Sequence, residues 1–246
     1  MKMAGWLKAL PIALAVAALS VITASCGANN GQAQVRMINA VADSQPLDIF
    51  INGAKAFANL AFTGVMPNSS PATYAAVQAG GAAIRGFPTG NDVIPTSPQG
   101  TVTLNGTSQY TMIAIGLQAS DAPPLLLLDN NTVPVSGNVE FRIINVSPSS
   151  SPNGVDVYIV PPTVNDLTNY TPQLAGLGNG QTSNYQSMAF AANGYHVIVT
   201  FNGSKTPYIT EPFTLQSGSI RTLVLVDNPG ANNGTSQTPL ILDDLN

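Results

Sequence analysis

The chain has 246 residues, of which 44% are hydrophobic and only 8% charged, with a formal net charge of −4. Globular chains carry about 25% charged residues, so this one can neither stitch helices together with i,i+4 charge pairs nor stay disordered by charge. With 22 Gly and 19 Pro it reads as all-β; its eight basic residues exclude nucleic acid as a partner, and one His and one Cys exclude a transition-metal site.

The first element is a leader. Lys2 and Lys8 flank the start of an apolar run from Ala9 to Ile22, which is broken only by Pro11 and Ser20. The run is too short to cross a bilayer of ~30 Å with proper flanks. It ends in Thr23-Ala24-Ser25-Cys26, whose small residues before the only Cys resemble the lipobox of bacterial lipoproteins, although Thr23 replaces the usual aliphatic residue. That resemblance implies a signal peptide over 1–25, cleavage before Cys26, and lipid attachment at Cys26 through its thiol and new amine. Gly27 in place of Asp, by resemblance to Gram-negative lipoproteins, directs the chain to the outer membrane, periplasmic or surface-exposed. More than one acyl chain makes such an anchor stable. Residues 26–34 form a polar tether, in which Gly27 to Gln34 reach at most ~28 Å. Loss of Lys2 and Lys8 with the leader leaves six basic against twelve acidic side chains, with no Trp and no intramolecular disulfide. Core burial alone must then stabilise the fold.

The mature chain repeats itself. Val35-Arg36-Met37-Ile38-Asn39 recurs as Phe141-Arg142-Ile143-Ile144-Asn145, 106 residues on. Leu47-Asp48-Ile49-Phe50-Ile51 recurs as Val155-Asp156-Val157-Tyr158-Ile159, offset 108, and Tyr110 to Ile115 recur as Arg221 to Val226, offset 111. Leu126 to Asp129 align with Leu240 to Asp243, offset 114. Solenoid periods are ~20–50 residues, so a pitch above 100 reads as two tandem domains. We assign the first repeat to 35–130, a linker to 131–138 and the second repeat to 139–246.

Within each repeat the apolar period is 2, the mark of a half-buried strand. Strands are predicted near 34–41, 46–52, 54–62, 72–78, 82–87, 100–105, 108–117 and 124–129, then 139–146, 154–160, 184–191, 194–201, 206–215, 219–227 and 239–244. Asn-Gly pairs at 52–53, 105–106, 193–194 and 202–203 supply hairpin-type turns. The fold class is all-β, with two tandem antiparallel β-sandwich domains, immunoglobulin-like or transthyretin-like.

A V-R-x-I-N strand, a following D-[IV]-[FY]-I strand and a late T-[ML]-[IV] strand resemble the 4397 domain-of-unknown-function family. The residues that carry this resemblance are Arg36, Asn39, Asp48 and Thr111, then Arg142, Asn145, Asp156 and Thr222. Departures from the pattern are a polar, Pro-rich stretch at 88–100 and an insertion at 161–184. The resemblance implies a fold and a cell-surface setting, not a reaction.

Candidate chemistry is sparse. His196 has no nucleophile beside it and reads as a solvent-facing strand residue. Asp129-Asn130-Asn131 and Asp243-Asp244 lack the spacing of a calcium loop and read as solvated strand ends. The glycine-rich 176–180 has no helix after it to meet a phosphate. Tyr74, Tyr170, Tyr185 and Tyr208 are the candidates for a sugar-stacking surface. The repeated Arg36/Asp48 and Arg142/Asp156 are either a ligand site used twice or structural pairs on adjacent strands, and their strand setting favours structure. The expected protein is a lipid-anchored envelope component with a non-catalytic interaction, adhesion or structural role, no metal and no cofactor. Its partners are the membrane, through the anchor, and envelope proteins or glycans. The alternatives are a carbohydrate-binding module and, behind it, a hydrolase, which would need two carboxylates ~5–9.5 Å apart.

Overall fold

The structure, a computed structural model, describes residues 31–67, 73–150, 153–227 and 237–245. Cys26, the leader and most of the tether lie outside the described residues.

In the first half the strands are β1 (Gln32–Asn39), β2 (Leu47–Ile51), β3 (Ala54–Leu60), β4 (Val65–Met66), β5 (Ala75–Gln78), β6 (Gly80–Pro88), β7 (Thr96–Leu104), β8 (Gln109–Ala114) and β9 (Leu125–Leu128). In the second they are β10 (Asn138–Asn145), β11 (Val155–Val160), β12 (Leu174–Leu177), β13 (Gln181–Thr182), β14 (Gln186–Ala189), β15 (Tyr195–Phe201), β16 (Ile209–Phe213), β17 (Ile220–Asp227) and β18 (Gln237–Leu245). Each half is a sandwich of two sheets. A five-stranded sheet runs β4-β1-β8-β9 with β5 also on β1, and faces a four-stranded sheet β3-β2-β6-β7. The second half repeats this strand for strand, as β13-β10-β17-β18 with β14 on β10, facing β12-β11-β15-β16. Among the described strands no ladder crosses from one half to the other.

Ala33, Val35 and Met37 point from β1 into the first sandwich, and Val139, Phe141 and Ile143 point from β10 into the second. The opposite face of β1 and β10 is buried as well. Ile38, Ile113 and Leu127 pack against Ile144, Val224 and Leu242, so a third core lies between the two five-stranded sheets. Strands buried on both faces lose the polar alternation of a surface strand. That is why Met37-Ile38 and Ile143-Ile144 are apolar on both faces.

Several details differ from the sequence reading. Gln32 to Gln34, assigned to the tether, belong to β1, because Gln32 and Ala33 pair with Gln78 and Val77. β1 and β8 run parallel, as do β10 and β17, a pairing that alternation cannot reveal. The segment 161–184 is not all insertion, since β12 and β13 lie inside it and match β3 and β4. Only Asn52-Gly53 closes a two-residue hairpin, with φ of 51° and 81°. Asn105-Gly106 and Asn193-Gly194 instead carry the chain from one sheet to the other.

The last strand corrects the repeat alignment by one residue. Thr111 lies opposite Leu127, whereas Thr222 lies opposite Leu242, beside an irregularity at Ile220/Arg221. The true offset there is therefore 115, and Asp129 corresponds to Asp244. A slip of one residue in a strand exchanges its two faces. Asp243 accordingly points outward and pairs with Arg221 at 2.7 Å, while Asp129 and Asp244 are buried.

Candidate functional site: a buried joint and an open hollow

The repeated arginines meet at the joint between the halves. Arg36 on β1 donates Nε–H to Thr111 Oγ1 at 2.8 Å, Nη1–H to the Asp243 carbonyl at 2.8 Å, and Nη2–H to the Asp244 carboxylate. Arg142 on β10 donates Nε–H to Thr222 Oγ1 at 2.8 Å, Nη1–H to the Leu128 carbonyl at 2.9 Å, and Nη2–H to the Asp129 carboxylate. Each arginine thus reaches across to the aspartate of the other half. Each aspartate also accepts from the threonine of its own half, Thr111 at 2.7 Å on Asp129 and Thr222 on Asp244. A tyrosine closes each end. The Tyr74 hydroxyl donates to Asp129 at 2.8 Å and that of Tyr185 to Asp244 at 2.9 Å, with their rings 5.5 and 4.7 Å from the Arg36 and Arg142 guanidinium carbons.

This arrangement is a pseudo-twofold ring of eight side chains with two positive and two negative charges. All four charged side chains are almost fully buried. Burial by itself lowers the Arg36 pKa, but Asp244 and Asp129 more than offset it, so the guanidinium is held above its usual value. Burial first, and the adjacent carboxylates after it, push the Tyr74 and Tyr185 hydroxyls well above the ordinary phenol range. Removing one partner from such a cluster leaves a buried charge uncompensated.

The other repeated residues hold each sandwich together. Asn39 accepts from Val41 N–H at 3.0 Å and donates to the Leu60 carbonyl at 3.1 Å. Asn145 does the same with Ser147 N–H at 3.1 Å and the Leu177 carbonyl at 2.8 Å. Each ties the end of a five-stranded sheet to the edge of the facing sheet. Asp48 accepts from Asn59 N–H at 2.7 Å, Thr89 Oγ1 at 3.0 Å and Lys55 Nζ at 2.6 Å. Burial works against ionisation there, but those donors outweigh it and keep the carboxyl below its ordinary value. Asp156 accepts from Gly176 N–H at 2.8 Å and Gly203 N–H at 2.9 Å.

Four expectations change accordingly. Arg36 and Asp48 do not pair with each other, nor do Arg142 and Asp156, because each Arg sits on a five-stranded sheet and each Asp on a four-stranded one. The two Asp spots are not solvated strand ends, since Asp129 and Asp244 lie inside the joint. Tyr74 and Tyr185 are half-buried, each with its hydroxyl on an aspartate and its ring against an arginine, and Tyr208 stacks on Phe201 with centroids 4.8 Å apart, which leaves Tyr170, 38% exposed. His196 is only half-exposed, and its Nδ1 is buried without a hydrogen-bond partner in the structure. Among the described residues no group of His, Cys, Asp and Glu could hold a metal ion, and no helix is long and apolar enough to cross a membrane.

Sequence reasoning did not single out an open hollow on the first half. The outer face of its four-stranded sheet carries a hollow of about 350 Å³ lined by Phe50, Asn52, Gly53, Ala83, Arg85, Phe87 and Asp92. Phe50 and Phe87 meet edge to face with centroids 5.2 Å apart. Lys55 Nζ lies 5.2 Å from the Phe50 ring centre and is held by Asp48 and, at 3.4 Å, by Asp92. The Arg85 side chain makes no hydrogen bond or ion pair with any described residue. The sequence signal was an aromatic at an outward strand position, Phe50, which alternation alone assigns to solvent.

Fold and joint together define a class: a double β-sandwich whose halves are locked by a reciprocal buried charge ring. The chain belongs to the family described as Domain of unknown function (DUF4397), whose model matches residues 33–158. The match covers β1 through most of β11 and contains Arg36, Asn39, Asp48, Thr111, Arg142, Asn145 and Asp156. No curated protein matches the chain.

Proposed function

We propose that this chain is a lipid-anchored bacterial envelope protein with a non-catalytic interaction, adhesion or structural role. Its second half is read as another copy of the family domain, and Cys26 carries the anchor at the outer membrane. The observation that supports the role is the joint. The charged residues that the two halves share are engaged in holding the halves together or, for Asp48 and Asp156, in holding each sandwich together, so they are tied into the framework, and the ring makes one firm body out of two sandwiches. A firm body on a short tether suits presentation of a surface to a partner. The glycan-binding alternative is weakened because Tyr74 and Tyr185 are built into the joint.

Metabolic labelling with an alkyne fatty acid, followed by membrane fractionation, tests the anchor. The wild-type chain is expected to take up label and sediment with outer membranes, and Cys26→Ser to do neither. Label retained by Cys26→Ser would refute the anchor. Cross-linking in intact cells tests the role. Adducts with envelope components are expected from the wild type and not from Cys26→Ser, and a wild type that forms none would count against it.

A further inference from the structure

The same strand positions on the outer faces of the two halves have different fates. The registers place Tyr158 where the first half has Phe50, Val160 where it has Asn52, and Ile198 where it has Arg85. In the second half the chain covers this face itself. Leu167 and Val164, from the segment after β11, pack on Tyr158, Val160 and Ile198, and Leu167 is only 1% exposed. Lys205 Nζ lies 4.9 Å from the Tyr158 ring centre and donates to the Tyr170 carbonyl of the covering segment. Among the described residues the first half has no such cover. Its corresponding ring, Phe50, also has a lysine over it, but the face opens into the 350 Å³ hollow. Val93 and Ile94, directly after the lining residue Asp92, are 83% and 67% exposed.

We propose that this hollow binds a short peptide loop bearing a leucine-like side chain next to a carboxylate. The proposal rests on the reading of the chain as a binding protein and names the kind of partner. The leucine requirement comes from the second half, where a short segment of backbone with Leu167 at its centre fills the equivalent face. The carboxylate requirement comes from charge. Lys55 is matched by Asp48 and Asp92, whereas Arg85, which replaces Ile198, is unmatched and stands beside two aromatic rings. A guanidinium fork takes a carboxylate through two parallel hydrogen bonds. The rings shield that contact from water and accept the aliphatic side chain. A peptide loop can place both groups on one face, as a fully extended strand could not, because adjacent strand residues point to opposite faces. In the covering segment Asp166 accepts from Thr168 N–H at 2.9 Å, a local turn beside Leu167.

The probe is a fluorescein-labelled peptide with the chain's own covering sequence, residues 161–170, which holds Asp166 beside Leu167. Fluorescence anisotropy with the purified full-length chain is expected to show saturable binding. Arg85→Ala in the protein should weaken it roughly tenfold or more, as loss of a charge-assisted hydrogen bond does. Leu167→Ala in the peptide should weaken it by about the same factor through lost apolar burial. Arg85 is exposed, so the melting temperature of the variant should stay at the wild-type value. The inference is overturned by absence of binding, by binding indifferent to Arg85→Ala or to the peptide change, or by an oligogalacturonate binding more tightly than the peptide. The assay is independent of Cys26 lipidation, so its failure leaves the anchoring and cross-linking results standing and separable.

Discussion

The two halves are alike where they face each other and unlike where they face away. At the joint, Arg36, Thr111, Asp129 and Tyr74 are matched by Arg142, Thr222, Asp244 and Tyr185, with nearly equal distances on the two sides. On the outer faces, a covered patch around Tyr158 opposes an open one around Phe50. The difference shows which positions the duplicated sandwich cannot vary. An arginine inside the joint serves both halves at once, because its partners are the other half's aspartate and carbonyl. A residue on an outer face answers only to its own half, so one copy can be buried under a loop while the other is left open for a ligand.

The symmetry of the joint is the most breakable part of this comparison. Asp129→Asn removes the anion from Arg142 and the acceptor from Tyr74, and Asp244→Asn does the same to Arg36 and Tyr185. Each is expected to cost about 3–5 kcal/mol, the usual penalty for leaving a buried charge alone. Chemical denaturation at pH 7 measures both. Similar losses support the pseudo-twofold reading; a loss confined to one variant breaks it. Replacing Arg36, Asp129, Arg142 and Asp244 together by Met and Leu should restore much of the stability, since apolar groups of similar volume incur no desolvation of charge.

The outer faces differ by a smaller amount. Leu167→Ala is expected to cost about 2 kcal/mol, near the lower end for a buried leucine because a surface segment can settle into the space. Phe50→Ala, at a half-buried position with no cover above it, should cost about 1 kcal/mol. Equal costs would mean that the first half's face is covered in solution, and the contrast between the halves would fail.

Much of the architecture was legible in the sequence because it is local. Period-2 alternation marks strands such as Tyr195–Phe201, and the recurrence of R-x-x-N and D-[IV]-[FY]-I exposes the duplication. What was not legible is whatever depends on residues far apart in the chain. Arg36 finds Asp244 208 residues away, and nothing near either names the other. The aspartates looked solvated because they end strands at the edge of each sheet, and only the packing of one five-stranded sheet on the other buries them. The one-residue misalignment of β18 had a physical source too. Leu240-Ile241-Leu242 is apolar at every position, so hydrophobic pattern alone fits either register, and only the pairing of Thr222 with Leu242 decides it. Short strands such as β4 and β13, two residues each, carry too little pattern to be seen.

The smallest expected difference lies between two aspartates that the sequence treats as equivalent. Asp156 uses both oxygens on backbone N–H groups, Oδ1 for Gly176 and Oδ2 for Gly203, and is buried. An Asn there must turn its amide nitrogen toward one of those donors, so Asp156→Asn should cost about 1–3 kcal/mol through one unsatisfied N–H. Asp48 takes Asn59 N–H and Thr89 Oγ1 on Oδ1, which an amide oxygen can still accept, and only Lys55 on Oδ2. Lys55 is 39% exposed and can turn to water or Asp92, so Asp48→Asn should cost about 1 kcal/mol or less. The Asp48 variant adds a pH signature. The native Asp48 carboxyl titrates below its ordinary value of 3.8, so its contribution is complete above that value and disappears as the pH falls through the lowered native one. Denaturation of wild type and Asp48→Asn at pH 7 and again at pH 3 should therefore show the gap between them narrowing in acid. A gap that held constant or widened would mean that the carboxylate at Asp48 does not supply the stabilisation, and that the strand irregularity at Asn59 is held by other contacts.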